Sequence, residues 1–252
     1  MTEILMRNIT MVEFEERVKT GAWVIIPVGT LEEHGQHLPL GTDTIQAEYI
    51  ARAVARAIDG LVAPTLDYGL CRMTRNFPGT VYLSYETVER AAYEVMRRFS
   101  DKGANRLLLL SGHAGGAHMV ALRQAAQRLV EEREELKILV LCPYDIPIPF
   151  LEDRNQPQAD GHAGALETST ILAIDETLVK GEFPPPSHPS FPPFQVLAHP
   201  EVCFPSGVLG DPTNASQELG ERILSHFTSE IVKLLVSHQS SVSSLQRKQN
   251  NK

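Results

Sequence analysis

Acidic and imidazole side chains are concentrated in one short stretch of the sequence, from Val24 to Asp43. Glu32 and His34 are two positions apart, so on an extended chain their side chains leave the same face and could share a metal ion. Asp43 lies where a helix is predicted to begin. Its carboxylate could either cap that helix or bridge two ions, as in two-metal hydrolases. The stretch therefore predicts a metal site, with an ordinary polar turn as the alternative.

Three other polar residues near this chemistry are predicted to have no direct part in it. The alternation of an extended chain turns Glu33 away from Glu32 and His34, so Glu33 is predicted to lie at the surface. His37 is predicted to orient the loop rather than to bind metal. His118 falls inside a predicted helix and is predicted to be a packed or surface histidine.

Histidine and glutamate occur again after two later segments. His113 directly follows another apolar strand, in the glycine-rich turn Ser111–Gly116. Parallel strands end on the same side of a sheet, so a ligand at this turn would converge with the first loop. His162 and Glu167 belong to a third group, 160–169, in which Glu167 could also be an ordinary carboxylate in the first turn of a helix.

The donor atoms of these groups are oxygen and nitrogen without thiolate, a set that favours Zn²⁺, Mn²⁺ or Fe²⁺. The sequence contains no HExxH, no GxSxG and no nucleotide-binding glycine motif. Its 3 cysteines are far apart and form no CxxC pair. A disulfide framework and a zinc–thiolate knuckle are therefore not expected.

Apolar segments between the polar groups predict the elements that position them. Buried strands are predicted at Val24–Ile26, Leu61–Leu66, Arg106–Leu110 and Ile138–Leu141. Helices are predicted between them, then over Glu167–Ile174, and over a last segment that contains Leu219, Ile223, Phe227 and Ile231. This alternation predicts an α/β fold with a mostly parallel sheet. We expect one domain over 1–236 and a polar, frayed tail over 237–252.

The overall charge and hydropathy exclude several classes of protein. The chain of 252 residues has a formal net charge of -8, which argues against a general nucleic-acid binder. It lacks the apolar core of a signal peptide and the ~20-residue apolar run of a membrane span. A soluble, cytoplasmic protein is expected. The apolar, proline-rich segment Phe183–Phe204 is predicted to be covered in part by a neighbouring subunit, with packing on its own core as the alternative.

The stretch Pro27–Asp43 resembles the signature of the creatininase family of metal-dependent amidohydrolases. The resemblance continues in the same order through Phe77–Thr80, Ser111–Gly115, His162–Gly164 with Glu167–Ser169, and Gly207–Pro212. It implies a three-layer α/β/α sandwich, two divalent metal ions per subunit (Zn²⁺, Mn²⁺ or Fe²⁺) and a homohexamer. By motif position it implies the metal ligands Glu32, His34, Asp43, His113 and Glu167, with Asp43 as the bridge. His162 matches the residue that protonates the leaving nitrogen.

Departures from creatininase itself bear on the substrate. Ala114 and Gly115 stand where creatininase has a Tyr-Glu pair, and Thr74-Arg75-Asn76 stands where many members have a histidine. The predicted activity is therefore hydrolysis of a non-peptide C–N amide, cyclic amide or formamide bond in a small molecule. Alternatives within the family are a deformylase of a formylaminopyrimidine intermediate in flavin or deazaflavin synthesis and an enzyme that trims a peptide-derived cofactor precursor. Arg72 or Arg75 could hold an acidic group of the substrate, or both could be surface arginines.

Two alternative functions do not involve amide hydrolysis. The same carboxylates and histidines could hydrolyse a phosphoester, although Val24–Asp43 supplies no lysine or arginine to bind one. The site could also be a metal-stabilised scaffold without catalysis.

Overall fold

A parallel sheet of four strands lies at the centre of the computed structural model, which describes residues 2–152 and 160–249. The strands are β1 (Val24–Val28), β2 (Leu61–Val62), β3 (Arg106–Ser111) and β4 (Lys137–Leu141), in the spatial order β2-β1-β3-β4. Val24 pairs with Leu61 on one side of β1 and with Leu107 on the other. The mostly parallel sheet predicted from the alternation of strands and helices is confirmed.

Two apolar layers sandwich the sheet because side chains along a strand alternate between its faces. The helices are α1 (Met11–Lys19), α2 (Thr42–Ile58), α3 (Tyr85–Asp101), α4 (Gly116–Glu132), α5 (Pro149–Glu152), α6 (Ala165–Asp175) and α7 (Gln217–Gln249). Leu107 and Leu109 pack on one face with residues of α3 and α4. Leu108 and Leu110 pack on the other face with residues of α2 and α7. The three-layer α/β/α fold implied by the resemblance is confirmed.

The beginnings of the helices follow the sequence closely, with one difference that matters for function. Thr10 and Glu13 form a capping box at the start of α1. At α2, however, the N-cap is Gly41, and Asp43 lies inside the first turn. Asp43 is therefore not a helix cap, and its side chain is free for another role.

The second strand is shorter than predicted. β2 ends at Val62, and Leu66 rejoins β1 only through an isolated bridge to Val28. Pro64 lies between the two points and has no backbone N–H to contribute to a ladder.

The last helix extends beyond its predicted end. α7 continues to Gln249, through a polar stretch for which the sequence predicted fraying. The division of the chain at residue 236 stays a prediction. In the part of the chain that the structure describes, no helix is both long and apolar enough to cross a membrane.

Candidate metal centre

Polar side chains from four parts of the chain meet at the carboxyl ends of β1 and β3. Glu32 and His34 come from the loop after β1, and His113 follows β3. Asp43 and Glu167 lie in the first turns of α2 and α6. All five side chains are buried. The structure thus brings together the five residues that motif position implied as ligands, as expected for the ends of parallel strands.

Two glycines let the start of α2 approach the strand ends closely. A Cβ on Gly29, directly after β1, would overlap the backbone and side chain of Thr44. A Cβ on Gly112, directly after β3, would overlap the backbone of Asp43. Only glycine fits at these two positions, so the backbone itself sets where Asp43 lies.

The two carboxylate oxygens of Asp43 face two separate histidines. Oδ2 lies 3.2 Å from Nδ1 of His113, which lies 2.8 Å from Oε2 of Glu32. Oδ1 lies 3.3 Å from Nε2 of His34, which lies 3.8 Å from Oε2 of Glu167. Asp43 is thus shared between two donor groups, the arrangement of a carboxylate that bridges paired ions.

Hydroxyl and amide groups hold these donors in place. The Thr30 hydroxyl contacts Asp43 Oδ2 and lies 3.3 Å from Glu32 Oε2, and the Thr74 hydroxyl donates to Glu32 Oε1. The Ala163 N–H donates to Glu167 Oε2 over 2.6 Å. These roles of Thr30 and Thr74 could not be predicted from the sequence, because a threonine carries no signal until the fold places it beside a carboxylate.

The ring of His34 is oriented as a metal ligand requires. Its Nδ1 lies 3.1 Å from the carbonyl oxygen of Glu32, to which it can donate, and this leaves the Nε2 lone pair directed at the carboxylates. Nε2 makes no hydrogen bond with any described residue, although it is buried. A buried nitrogen without a hydrogen bond, facing two carboxylate oxygens, fits coordination to a cation better than a protein hydrogen bond.

The electrostatics of the cluster also favour a cation. Burial lowers the pKa of His34, but the charges of Asp43 and Glu167 outweigh this effect and raise it to about 10. Burial likewise opposes charge on His113, yet Glu32 and Asp43 raise its pKa well above the usual range. Three buried carboxylates thus attract positive charge to this point, and divalent ions would supply it.

The donor atoms fall into groups of metal-binding size. His34, Asp43 and Glu167 each offer an atom within 4.8 Å of the others, and so do Glu32, His113 and Cys71. The residues present therefore fit divalent ions on both sides of Asp43. Cys71 is a buried neighbour whose thiol pKa is raised by burial.

His162 lies close to Glu32 and His34, since each of the three offers a donor atom within 4.8 Å of the others, and Glu33 contacts it. The rings of His162 and His34 are 4.3 Å apart. His162 Nε2 lies 2.7 Å from the backbone carbonyl of Glu33, to which it donates, and 3.3 Å from Oε1 of the Glu33 side chain. His162 Nδ1 has no hydrogen bond within the described part of the chain. It is therefore the ring nitrogen available to a substrate.

The prediction that Glu33 lies at the surface is wrong. Its side chain is buried, and Oε2 accepts a hydrogen bond of 2.8 Å from the Gly35 N–H. The extended chain ends at Gly35, whose φ of 65° turns the loop back. Gly207 packs so closely on the Glu33 carboxylate that a Cβ there would overlap it. Strand alternation could not reveal this turn.

Two further histidines near the centre, His37 and His118, support the site without joining the donor groups. His37 Nε2 lies 2.9 Å from the Thr168 hydroxyl, next to Glu167, which fits its predicted role of orienting the loop. Burial and the neighbouring His34 lower the pKa of His37 to about 4, so it is neutral. His118 is buried in α4, and its Nδ1 accepts a hydrogen bond from the Leu70 N–H.

Arg72 and Arg75 do not lie where the substrate prediction requires. Arg75 donates to the carbonyl oxygens of Leu197 and Ala198, over 2.9 and 2.6 Å. Arg72 is exposed, and neither arginine lines the cavity over the donor groups. A contact between either guanidinium and the substrate therefore finds no support within this subunit.

A cavity of about 740 Å³ opens over the donor groups. Its polar side is formed by Glu32, Asp43, His113, His162 and Glu167. Its other side is apolar and is formed by residues between Tyr144 and Leu151, together with Leu166, Phe204 and Leu209. The cavity gives a small molecule access to both donor groups at once.

Comparisons with known proteins agree with this geometry. The family model described as creatinine amidohydrolase matches residues 7–235. A creatinine amidohydrolase of Pseudomonas putida is 30% identical over 244 residues, covering 88% of this chain and 92% of the relative. A mycofactocin precursor peptide peptidase of Mycolicibacterium smegmatis is 34% identical over 214 residues, covering 79% of this chain and 78% of the relative.

Solved structures of creatininase have the same fold. A manganese creatininase superposes with a TM-score of 0.86, a Zn-Zn form with 0.85 and a complex with creatine with 0.84. Each is 27% identical in sequence and covers 94% of this chain and 99% of its own. The last two carry a glutamate-to-glutamine substitution.

Proposed function

The chain belongs to the creatininase family and is a hydrolytic enzyme of that family, and from this premise we propose that Asp43 bridges two divalent ions used to cleave the C–N bond of an amide. The observation that carries the proposal is the division of the Asp43 carboxylate between His113 on one side and His34 on the other. One ion would be held by Glu32, Asp43 and His113, and the other by His34, Asp43 and Glu167. The manganese and Zn-Zn forms of creatininase support these metals.

Metal and protein residues would have separate tasks in the reaction. Bound divalent ions lower the pKa of coordinated water toward ~7 and polarise a carbonyl oxygen. His162, directly beside the donor groups, would give a proton from Nδ1 to the departing nitrogen. Glu33 would stabilise the charged form of His162, since its carboxylate lies 3.3 Å from Nε2. Thr30 and Thr74 would keep Asp43 and Glu32 aimed at the ions.

The substrate is a small molecule, and we propose a non-peptide amide as its reacting group. The relative from Pseudomonas putida and the creatine complex support this choice. The mycofactocin precursor peptide peptidases support a second candidate, the trimming of a peptide-derived cofactor precursor. We also propose a cytoplasmic location and a homohexamer, both of which stay predictions.

A substrate screen with metal analysis tests the proposal. The purified protein is stripped of metal, reloaded with Mn²⁺, Zn²⁺ or Fe²⁺, and assayed on amides, formamides, short peptides and phosphoesters. Amide or formamide hydrolysis that requires metal supports the proposal, and hydrolysis of phosphoesters alone contradicts it. His162→Ala should keep its metal and lose on the order of 10²- to 10⁴-fold in turnover, as for loss of a general acid. A metal-depleted His162→Ala would instead make His162 a ligand.

A further inference from the structure

The cavity over the donor groups is chemically divided. One side carries the groups assigned to the reaction, and the other side is lined by aliphatic and aromatic carbon. The apolar side is formed chiefly by Ile146, Ile148, Leu151, Leu166, Phe204 and Leu209. Several of these side chains are only half-buried, although they adjoin the core. A partly exposed apolar wall favours the binding of an apolar ligand, because the ligand would remove that surface from water.

The described lining residues of the cavity offer no free charged partner for the remainder of a substrate. Among its lining residues, all within the described part of the chain, there is no lysine or arginine. Outside the reaction groups, the ionisable residues among the described lining are Asp160 and Tyr144. Both Asp160 oxygens are already occupied, because they accept hydrogen bonds from the N–H groups of Ala165 and Leu166. The Tyr144 hydroxyl donates a hydrogen bond to Oε1 of Gln46.

Small residues form the floor of the cavity beside the reacting groups. Gly115 contributes no side chain to the cavity, and the His113 ring packs directly against it. Ala114 reaches the cavity with a methyl group only. The volume of about 740 Å³ falls in the range that encloses a drug-sized ligand, roughly 300–1,000 Å³. A compact polar ring would leave most of the apolar wall uncovered.

We infer that the substrate is a neutral amide with a large apolar group next to the C–N bond that is cleaved. The inference rests on the proposed function and narrows its substrate class. The reaction adds water to the amide: the C–N bond breaks, a C–O bond forms to give the acid, and the leaving nitrogen takes a proton to give the amine. A phosphate-bearing formamide fits poorly, because the described walls would bury its charge without a cation.

Two matched substrate series test the inference on the Mn²⁺- or Zn²⁺-loaded enzyme. In the first, N-methyl amides have acyl chains that lengthen from acetyl to hexanoyl. In the second, acetamides have N-alkyl groups of the same lengths. We expect kcat/KM to rise in at least one series by about threefold to fourfold for each added methylene, the value for burying a CH₂ group. Analogues that end in a carboxylate should be turned over at least tenfold more slowly than neutral analogues of equal length.

A pair of variants locates the effect. Ile148→Asn should flatten the dependence on chain length, whereas Val120→Asn, on an exposed part of α4, should leave it as in the wild type. Metal content and circular dichroism report whether each variant is folded. If amides are hydrolysed but both series are flat, or carboxylate analogues are preferred, the inference is wrong and the proposed function stands. If no amide is hydrolysed with any metal, the proposed function itself fails.

Discussion

Asp43 is the residue on which the two-ion proposal depends, and its position can be tested without a substrate. Asp43→Asn keeps the shape of the side chain but removes the charge that faces both His34 and His113. We expect the variant to bind at least one ion fewer per subunit than the wild type, because paired cations need the bridging anion. Mass spectrometry of the metal content after dialysis measures this loss.

A matched control is available on the same helix. Asp59 follows α2 at an exposed position with a φ of 53°, a conformation that asparagine adopts readily. Asp59→Asn should therefore bind the wild-type amount of metal. Full metal content in Asp43→Asn would show that Asp43 is not the bridge between two ions.

A substitution of Glu33 tests whether this residue assists His162 in proton transfer to the leaving nitrogen. Glu33→Gln should lower turnover of alkyl amides by roughly 10- to 100-fold, since second-layer partners have effects of this size. Anilides with an electron-poor ring should lose much less, because their nitrogen departs with little help from an acid. The ratio of the two rates, measured on one enzyme preparation, separates this effect from simple damage to the fold.

The control for Glu33 is an exposed glutamate on another element. Glu218 lies at the start of α7, and the substitution Glu218→Gln should change neither rate. Equal losses for alkyl amides and anilides in Glu33→Gln would mean that Glu33 supports the loop and does not assist His162.

At the scale of elements, Asp160 connects the cavity to the start of α6. Burial raises the pKa of the Asp160 carboxyl to about 6, and this carboxyl accepts hydrogen bonds from the first turn of the helix that carries Glu167. A folded-state pKa above that of the unfolded chain means that Asp160 favours folding fully below about pH 4. That contribution is lost as the pH rises through 6.

Asp160→Asn should remove this pH dependence. Between pH 4 and 6 the free energy of unfolding of the wild type should fall relative to that of the variant, by up to about 2 kcal/mol. Urea unfolding at several pH values measures the difference. If the free energy of unfolding of the wild type minus that of the variant stays constant or rises with pH, the carboxyl ionises at least as easily in the folded protein as in the unfolded chain.

The elements also show which parts of the fold and of the site could be predicted from the sequence. The strands, the helices around them and the meeting of His113 with Glu32 could be predicted, because apolar periodicity and parallel strand ends depend on local sequence. Glu33 could not, because its burial comes from His162 and Gly207, more than a hundred positions away. The Thr74 hydroxyl that holds Glu32 is a similar case, since the loop that carries it has no regular period.

At the scale of the whole molecule, the segment Phe183–Phe204 is divided between two environments. Phe183 contacts His37, and Phe204 is buried against Phe77 and Phe191. Phe194 and Val196 are almost fully exposed. Part of the segment therefore packs on its own subunit, and the exposed part is where we expect a neighbouring subunit to bind.

Substitutions in the exposed part should weaken assembly. Phe194 has a φ of 63°, unusual for a bulky residue, so Phe194→Asn preserves the backbone while it removes apolar surface. Combined with Val196→Asp, it should shift the oligomer toward smaller species in light scattering at micromolar concentration. Met11→Ser, an exposed apolar residue on α1, serves as the control and should not. A stable wild-type monomer would overturn the assembly prediction.

The two glycines beneath Asp43, Gly29 and Gly112, mark positions of this fold that cannot be substituted, whereas the apolar wall of the cavity can be. A side chain at Gly29 or Gly112 would push α2 away from the strand ends. Substitution at either position would therefore disrupt the metal centre and could not simply change the substrate preference. The apolar wall opposite has no such restriction, because its half-buried side chains come from a loop, a short helix and the α6 region. Selection can therefore exchange one wall for another while the metal donors stay in place. Enzymes with this arrangement can change their substrate while they keep the same metal-dependent reaction.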